Sequence, residues 1–302
     1  MVKRSEERFA GYECTRLSNG ALALWVTREV GPRIIGLAPA GEGNLLAELP
    51  EFRVQFPSMP VFSFRGGHRL WYGPEDARRT YQPDDAPVAV EAVEGGVRAV
   101  QPVEAETGIQ KSMTIVLAGD EPHVVIDHAL ENRGTEPVAL APWAITQLRP
   151  GGVAILPQAT GPVDEHGLLP NRHLVLWPYT RLDAPHVTWG EGLLLLDTAQ
   201  VTGPFKVGFP NPAGWLAYAV GETLFVKHAP YHPGAEYLDQ GSSSECYCNP
   251  RFLELETLGP YTRLAPGEVV EHREVWDVYT GTDVPRKETE AQALVEKLGI
   301  GQ

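Results

Sequence analysis

The sequence of 302 residues is poor in cysteine and in basic side chains, and each shortage excludes a class of protein. Its three cysteines, Cys14, Cys246 and Cys248, are too few and odd in number for a disulfide framework, which favours a reducing compartment. The 25 basic side chains against 39 acidic ones give a formal net charge of −14. Such a chain lacks the basic surface that nucleic acids and anionic membranes require.

Two further absences concern membranes and secretion. No stretch approaches the roughly 20 apolar residues that a membrane-spanning helix needs. The charged N-terminal residues include no apolar segment typical of a secretion signal. The sequence therefore predicts a cytoplasmic protein with neither a nucleic-acid nor a membrane partner.

Turn-forming residues are abundant and evenly spread. The 31 glycines and 27 prolines occur along the whole chain, a pattern typical of many short strands joined by turns. Residues 88–94 and 97–104 predict a hairpin whose turn is Gly95-Gly96. The other predicted strands are residues 21–26, 112–117, 124–130, 138–148, 174–177, 192–196, 215–220, 223–226, 252–258 and 269–279.

This number of short strands determines the expected architecture. About a dozen strands in one chain require two large stacked antiparallel sheets or a closed barrel. Only the C-terminal residues 286–299 are predicted to be helical, with apolar residues at helix spacing. No linker or fixed-period repeat divides the chain, so the sequence predicts one all-β domain over residues 1–302. The loop-like residues 150–185 are expected to cross a face or edge and to carry binding residues.

Polar residues alternate along two of the predicted strands. Glu254 and Glu256 share one face of strand 252–258 with Phe252, opposite Leu253 and Leu255. Upstream, Glu245, Tyr247 and Asn249 alternate with two cysteines. One interpretation is a sheet with one face in water. The other is a concave face whose carboxylates, tyrosine and amide bind the hydroxyl groups of a carbohydrate.

A second candidate segment follows the pair Gly66-Gly67. The glycines permit a close backbone approach or positive φ angles immediately before His68 and Arg69. Histidine is suited to general acid catalysis near neutral pH, arginine supplies fixed donors, and Trp71 supplies a stacking surface. The alternative interpretation is a glycine turn that carries a surface histidine.

Four isolated residues have two interpretations each. Trp143 and Gln147 on strand 138–148 face either a ligand or the core. Lys206 and Lys227 either neutralise a carboxylate or bind hydroxyls, or they protect a sheet edge from pairing. No spacing matches a metal motif or a dinucleotide fingerprint, so the sequence predicts neither a metal nor an organic cofactor.

The order of five motifs resembles that of galactose-mutarotase-like proteins, and more narrowly of a bacterial branch of this superfamily. The resemblance runs from about residue 17 to 279. It implies a single β-supersandwich of two large antiparallel sheets, over about residues 12–280, with a sugar bound across a concave face. The motifs are Gly67-His68-Arg69-Leu70-Trp71, Asn132-Arg133-Gly134, Ala141-Pro142-Trp143-Ala144, Leu253-Glu254-Leu255-Glu256-Thr257-Leu258 and Leu264-Ala265-Pro266-Gly267-Glu268.

The resemblance also implies a chemistry. In aldose 1-epimerases of this fold, a carboxylate takes the proton of the anomeric hydroxyl and a histidine protonates the ring oxygen. The ring opens and closes on its other face, without metal or cofactor. Glu256 matches the catalytic glutamate, with Glu254 as the fallback, and His68 is the implied acid. Trp143 stands where the family carries a further histidine.

Three functions therefore stay open. The first is an aldose 1-epimerase-like enzyme acting on a free sugar or sugar derivative, as a monomer or homodimer. The second, favoured by Trp143, is a sugar-binding or sensor protein without catalysis. The third is a lyase acting on uronic acids, in which Arg69 or Lys206 meets the sugar carboxylate. The predicted binding residues are Arg69, Trp71, Trp143, Gln147, Lys206, Lys227, Glu245, Tyr247 and Asn249.

Overall fold

The computed structural model describes residues 2–301; Met1 and Gln302, the ends of the predicted domain, lie outside the described residues. Almost all of its regular structure is β. In chain order the first strands are β1 (Lys3–Phe9), β2 (Tyr12–Ser18), β3 (Leu22–Thr27), β4 (Arg33–Pro39), β5 (Glu48–Val54), β6 (Phe62–Gly73), β7 (Ala89–Val93), β8 (Gly96–Val100), β9 (Ile109–Leu117), β10 (His123–Asn132) and β11 (Val138–Leu148). The others are β12 (Val153–Pro157), β13 (Val175–Leu176), β14 (Val187–Trp189), β15 (Leu193–Asp197), β16 (Phe205–Phe209), β17 (Trp215–Val220), β18 (Thr223–His228), β19 (Ser244–Asn249), β20 (Phe252–Leu258), β21 (Thr262–Leu264) and β22 (Val269–Thr280).

Helices are few and short. A single turn, α1 (Ala77–Thr80), follows β6, and α2 (Glu288–Leu298) ends the chain, as the sequence predicts. Gly299 closes α2 in the left-handed conformation, with φ of 67°, which glycine adopts without strain. Through Ala291, α2 packs on an apolar cluster on the outer face of one sheet. Among the described residues, no helix is long and apolar enough to cross a bilayer.

The strands form two large sheets, as predicted. The first sheet has the order β1-β2-β3-β4-β6-β11-β20-β19-β16-β13, with β5 paired to β6 and β21 to β11. The second has the order β14-β15-β12-β17-β18-β22-β10-β9-β8-β7. Strand β11 of the first sheet lies against β10 and β22 of the second. The non-consecutive order β6-β11-β20-β19-β16 brings chain segments far apart in sequence onto one face.

The main core lies between the two sheets. Strand β10 shows how it forms, because every second side chain is buried: Val124, Ile126, His128 and Leu130. Val124, Ile126 and Leu130 and their counterparts from the first sheet belong to one large apolar cluster. Burying each valine, leucine or isoleucine contributes about 1.5–3 kcal/mol, so this layer dominates the stability of the sandwich.

The structure differs from the sequence predictions in two details. The sandwich begins with β1 at Lys3 rather than near residue 12, because a strongly charged segment is tolerated as an exposed edge strand. The hairpin of β7 and β8 is confirmed, but Val93 pairs with Gly96, so its two-residue turn is Glu94-Gly95. The positive φ of 68° at Gly95 is the conformation that such a turn requires.

Candidate functional site

One face of the first sheet carries a cavity of about 510 Å³. Its floor comes from β6, β11, β20, β19 and β16, whose side chains on this face point away from the second sheet. Its walls come from β5 and from the segment between β12 and β16. The lining residues are Phe52, Arg53, Val54, Phe64, Arg69, Trp71, Glu75, Tyr81, Trp143, Ile145, Trp177, Tyr179, Pro204, Lys206, Tyr247, Phe252 and Glu254.

Strand register arranges the floor in rows. Trp71 pairs with Trp143 in the first row. The second row crosses the sheet as Arg69, Ile145, Glu256 and Glu245, and the third as Gln147, Glu254, Tyr247 and Lys206. Because side chains in one row of an antiparallel sheet are direct neighbours, the two glutamates of β20 lie beside partners that are distant in sequence.

A backbone irregularity in β6 precedes Arg69. Arg65, Gly66 and Gly67 all have positive φ, at 62°, 90° and 74°. A Cβ atom on Gly66 would lie 1.8 Å from the Ala47 carbonyl oxygen, so no larger residue fits there. The glycine pair therefore provides both the close approach and the positive φ that the sequence predicts.

Glu254 presents one carboxyl oxygen to the cavity. Its Oε1 accepts hydrogen bonds of 3.0 Å from Arg69 and from Gln147 Nε2, while Oε2 makes none to any described residue. Burial raises the pKa of Glu254 to about 7, against the lowering effect of the Arg69 guanidinium. A carboxyl group with this pKa takes up and releases protons near neutral pH.

Glu256 lies deeper, under Lys206. Its Oε2 accepts from Trp143 Nε1 at 2.7 Å and from Lys206 Nζ at 3.0 Å, and its side chain is fully buried. Lys206 Nζ also lies 2.6 Å from Glu245 Oε2. Burial opposes the charge of Lys206, but these two carboxylates outweigh it and hold its pKa well above the usual range. Lys206 is therefore an ammonium ion at neutral pH.

Several buried polar atoms at the floor lack partners among residues 2–301. They are Arg69 Nε and Nη1, Gln147 Oε1, Glu245 Oε1 and Glu256 Oε1. Burying a donor or acceptor without a hydrogen bond costs about 1–3 kcal/mol each. Such a concentration of open donors and acceptors beside a cavity indicates a place where a polar ligand supplies the missing bonds.

Aromatic rings hold both floor cations in place. The Arg69 guanidinium lies 4.2 Å from the Trp71 ring centre and 5.2 Å from that of Phe64. Lys206 Nζ lies 4.8 Å from the Trp143 ring and 4.6 Å from the Trp177 ring. Cations between aromatic faces keep fixed positions, which favours a preformed site.

His68 lies on the opposite face of the first sheet, which corrects its predicted place in the cavity. Adjacent strand residues point to opposite faces, so His68 and Arg69 of β6 cannot both face the cavity. The His68 ring is fully buried between the sheets, with its centre 4.8 Å from that of Trp276. The expectation of an imidazole opposite the glutamates across a ligand is therefore wrong.

The predicted ligand-binding role of Lys227 is also wrong, because its side chain lies between the sheets as well. Its Nζ donates to Thr146 Oγ1, which donates to His68 Nδ1. His68 Nε2 is 2.7 Å from His128 Nε2, and His128 Nδ1 donates to the His272 carbonyl. These partners assign neutral imidazoles, with His68 as donor to His128. The chain of bonds is complete without any group from the cavity.

Glu274 lies at the centre of this inter-sheet cluster. It lies 2.8 Å from Lys227 Nζ and accepts hydrogen bonds from Trp276 and Thr257. Potential metal-ligand atoms of His68, His128 and Glu274 lie within 4.8 Å of one another. Among the described residues, this is the one group of three such side chains that lies close enough to hold a metal ion. Since protein partners already engage these atoms, and Lys227 supplies positive charge, the cluster does not fit a divalent cation.

The buried imidazoles predict a pH-dependent stability that His272 can test. Burial lowers its pKa to about 3, whereas an unfolded histidine titrates near 6.5. Between these values the unfolded chain binds more protons, so acid destabilises the fold. The comparison variant is His272→Gln, because glutamine keeps a donor for Thr257. We expect the free energy of unfolding of the wild type, relative to that of His272→Gln, to fall by about 2 kcal/mol from pH 7 to pH 5.

Urea unfolding at several pH values measures this difference. The matched control is His166→Gln, because it makes the same replacement at a histidine that is exposed in the loop after β12. A stability difference between the wild type and His272→Gln that stays constant from pH 7 to pH 5 contradicts the prediction.

The remaining predicted site residues divide into three groups. Arg69, Trp71, Trp143, Lys206, Tyr247 and Glu254 line the cavity, and Gln147, Glu245 and Glu256 lie directly beneath it. Asn249 lies outside both groups, because its side chain accepts from the backbone of Arg251 and Phe252 in the β19–β20 turn. The lining residues not predicted singly include Phe52, Phe64, Phe252, Trp177 and Tyr179; the last two lie in the loop-like residues 150–185.

Comparisons with known proteins address the fold. No protein-family model and no curated protein sequence matches the chain. A galactose mutarotase-like protein from Lactobacillus casei has 12% identity and a TM-score of 0.60, over 87% of this chain and 99% of that one. A galactose mutarotase related enzyme from Lactobacillus acidophilus has 8% identity and a TM-score of 0.54, over 95% of this chain and 100% of that one.

A further solved structure is longer than this chain. A TPR-domain containing protein from Parabacteroides distasonis has 14% identity and a TM-score of 0.60 over 92% of this chain. The chain spans half of the length of that protein. Identities of this size establish architecture and not activity. With its two antiparallel sheets and short C-terminal helix, the chain has the galactose mutarotase-like fold.

Proposed function

We propose that the protein binds a neutral sugar in the aromatic cavity and interconverts its two anomers, with Glu254 as the group that moves the proton. The observation that carries this proposal is the open Glu254 Oε2, on a carboxyl group of pKa about 7, at the floor beside unpartnered donors. The likeness of the fold to mutarotase-related structures supports it.

The cavity offers both kinds of contact that a sugar needs. Trp71, Trp143 and Trp177 present apolar ring surface to the C–H faces of a pyranose. Arg69 lines the cavity with donors that have no partner among the described residues, and Glu254 Oε2 supplies an acceptor for hydroxyl groups. Ligand sites commonly combine a mainly apolar lining with a few fixed polar groups in this way.

The charges at the floor favour a neutral sugar over a uronic acid. Arg69 is paired with Glu254, and Lys206 with Glu256 and Glu245. Burial raises the pKa of Glu245 well above its usual range, against the lowering effect of the Lys206 ammonium. A sugar carboxylate would have to displace an existing partner, which disfavours the lyase alternative.

The proposed reaction needs one carboxyl group. Glu254 Oε2 takes the proton of the anomeric hydroxyl as the C1–O5 bond breaks and the C1=O1 bond forms, and it then gives that proton to O5. Rotation about C1–C2 and the reverse steps close the ring on its other face, with no net proton change. Arg69 and Lys206 stabilise negative charge on O5 while the proton is in transit.

Sugar binding without catalysis is the second candidate function. The burial of His68 behind the sheet favours it, since the cavity then lacks the imidazole acid implied by the family resemblance. Glu254 is the group that distinguishes the two candidates, because binding needs only its hydrogen-bonding capacity and catalysis needs its ionisation.

Anomer exchange and binding are measured separately to test the proposal. We expect purified protein to accelerate the mutarotation of fresh α-glucose or α-galactose, followed by optical rotation, and to bind the same sugar in calorimetric titration. Binding without acceleration supports the second candidate and contradicts catalysis. Neither binding nor acceleration contradicts the proposed function for these sugars.

A further inference from the structure

Burial divides the cavity lining into an inner and an outer part. The inner part is buried and holds the polar chemistry of the floor, with Arg69, Lys206 and Glu254 at most 7% exposed. The outer part is half-buried or exposed and mostly aromatic, including Phe52, and Tyr179 at its rim is 41% exposed. The two parts are continuous, since Trp177 contacts Lys206 and belongs to the wall.

A row of rings runs along the wall from the outer Phe52 to Tyr179 at the rim, through the buried Phe252 and the half-buried Tyr247. Phe52 packs on Phe252 with ring centres 5.5 Å apart, Phe252 on Tyr247 at 5.8 Å, and Tyr247 on Tyr179 at 6.2 Å. Aromatic surface at the mouth of a polar site offers ring faces to a ligand, and hydrogen bonding there is limited to the hydroxyl groups of Tyr179 and Tyr247. This surface therefore suits a second ring that is held by stacking.

The cavity is also larger than one sugar ring. Even if each of the 12 non-hydrogen atoms of a hexose took the roughly 30 Å³ of a liquid water molecule, one ring would fill about 360 Å³. The cavity holds about 510 Å³. Space remains at the outer end after the inner end is filled.

We propose that Tyr179 and the neighbouring outer rings form a second subsite, so that the preferred ligand is a disaccharide with a free reducing end. This subsite rests on the proposed function, which places C1 and O5 of the reducing sugar at Glu254 on the floor. The O4 atom lies across the ring from C1 and points to the mouth. A sugar linked through O4 then lies against Tyr179.

Titrations with glucose, maltose, cellobiose and lactose test this subsite, because glucose is the reducing sugar of all three disaccharides. We expect at least one disaccharide to bind at least fivefold more tightly than glucose. Tyr179→Ala removes that gain, because it weakens disaccharide binding more than glucose binding. The matched control is Leu182→Ala, because Leu182 is 66% exposed in the same segment and does not line the cavity.

Each contrary outcome is specific. The subsite is overturned if glucose binds as tightly as all three disaccharides, or if Tyr179→Ala weakens glucose and disaccharides equally. It is also overturned if no sugar binds, and the proposed function then fails with it. Tyr179-dependent disaccharide binding without anomer exchange supports the subsite while contradicting catalysis. Anomer exchange on glucose without a disaccharide preference supports catalysis and contradicts the subsite.

Discussion

Replacing Glu254 by glutamine is expected to lower the rate of anomer exchange by about 10²–10⁴-fold, the usual contribution of general acid–base catalysis. The amide retains an acceptor for Arg69 and Gln147 but takes no proton at neutral pH. Sugar affinity is therefore expected to change only a few-fold. Exchange is measured by optical rotation or magnetisation-transfer NMR, and affinity by calorimetry.

The pH dependence of the same reaction gives an independent measurement. Only the ionised carboxyl takes the anomeric proton, so the exchange rate should rise with pH through about 7 and then level off. Glu94→Gln, in the exposed β7–β8 turn, is the matched control and should keep the wild-type rate and profile. An exchange rate that survives Glu254→Gln, with the same pH profile, contradicts the assigned role.

Replacing Lys227 by methionine is expected to lower the free energy of unfolding by about 3–5 kcal/mol, because Glu274 would remain buried without its ammonium partner. Burial alone raises the pKa of Glu274, but the Lys227 ammonium outweighs burial and holds that pKa below its usual range. Lys227 also donates to the carbonyls of Ala144 and Leu255, so it ties the second sheet to two strands of the cavity floor.

Urea denaturation measures this loss, and a second substitution tests its cause. Adding Glu274→Gln to Lys227→Met removes the unpaired charge, so the double variant should regain part of the lost stability. The control is Lys287→Met, whose side chain is 78% exposed. A loss below 1 kcal/mol for Lys227→Met, or no recovery in the double variant, is the contrary result.

Alternation along β20 made part of the site predictable. Glu254 and Glu256 share a face because a strand has a period of two, and the structure places both on the cavity side. Their different depths were not predictable. Lys206, which covers Glu256 and leaves Glu254 open, comes from a strand 50 residues away in sequence.

The prediction for His68 failed for an identifiable reason. The glycine pair before it resembles a turn, and in a turn His68 and Arg69 could face the same ligand. In the structure the pair forms an irregularity within the continuous strand β6, so the two side chains point to opposite faces. Lys206 and Lys227 have similar apolar sequence surroundings, yet one faces the cavity and the other the inter-sheet core.

By itself the sequence determined the all-β class, the C-terminal helix and the residues that share a face of each strand. These follow from local periodicity and turn chemistry, which need no knowledge of strand order. The tertiary structure decided which face became the cavity and which groups meet there. Pairing β6, β11, β20, β19 and β16 places Arg69 against Glu254, 185 residues apart, and no local pattern encodes that choice of neighbours.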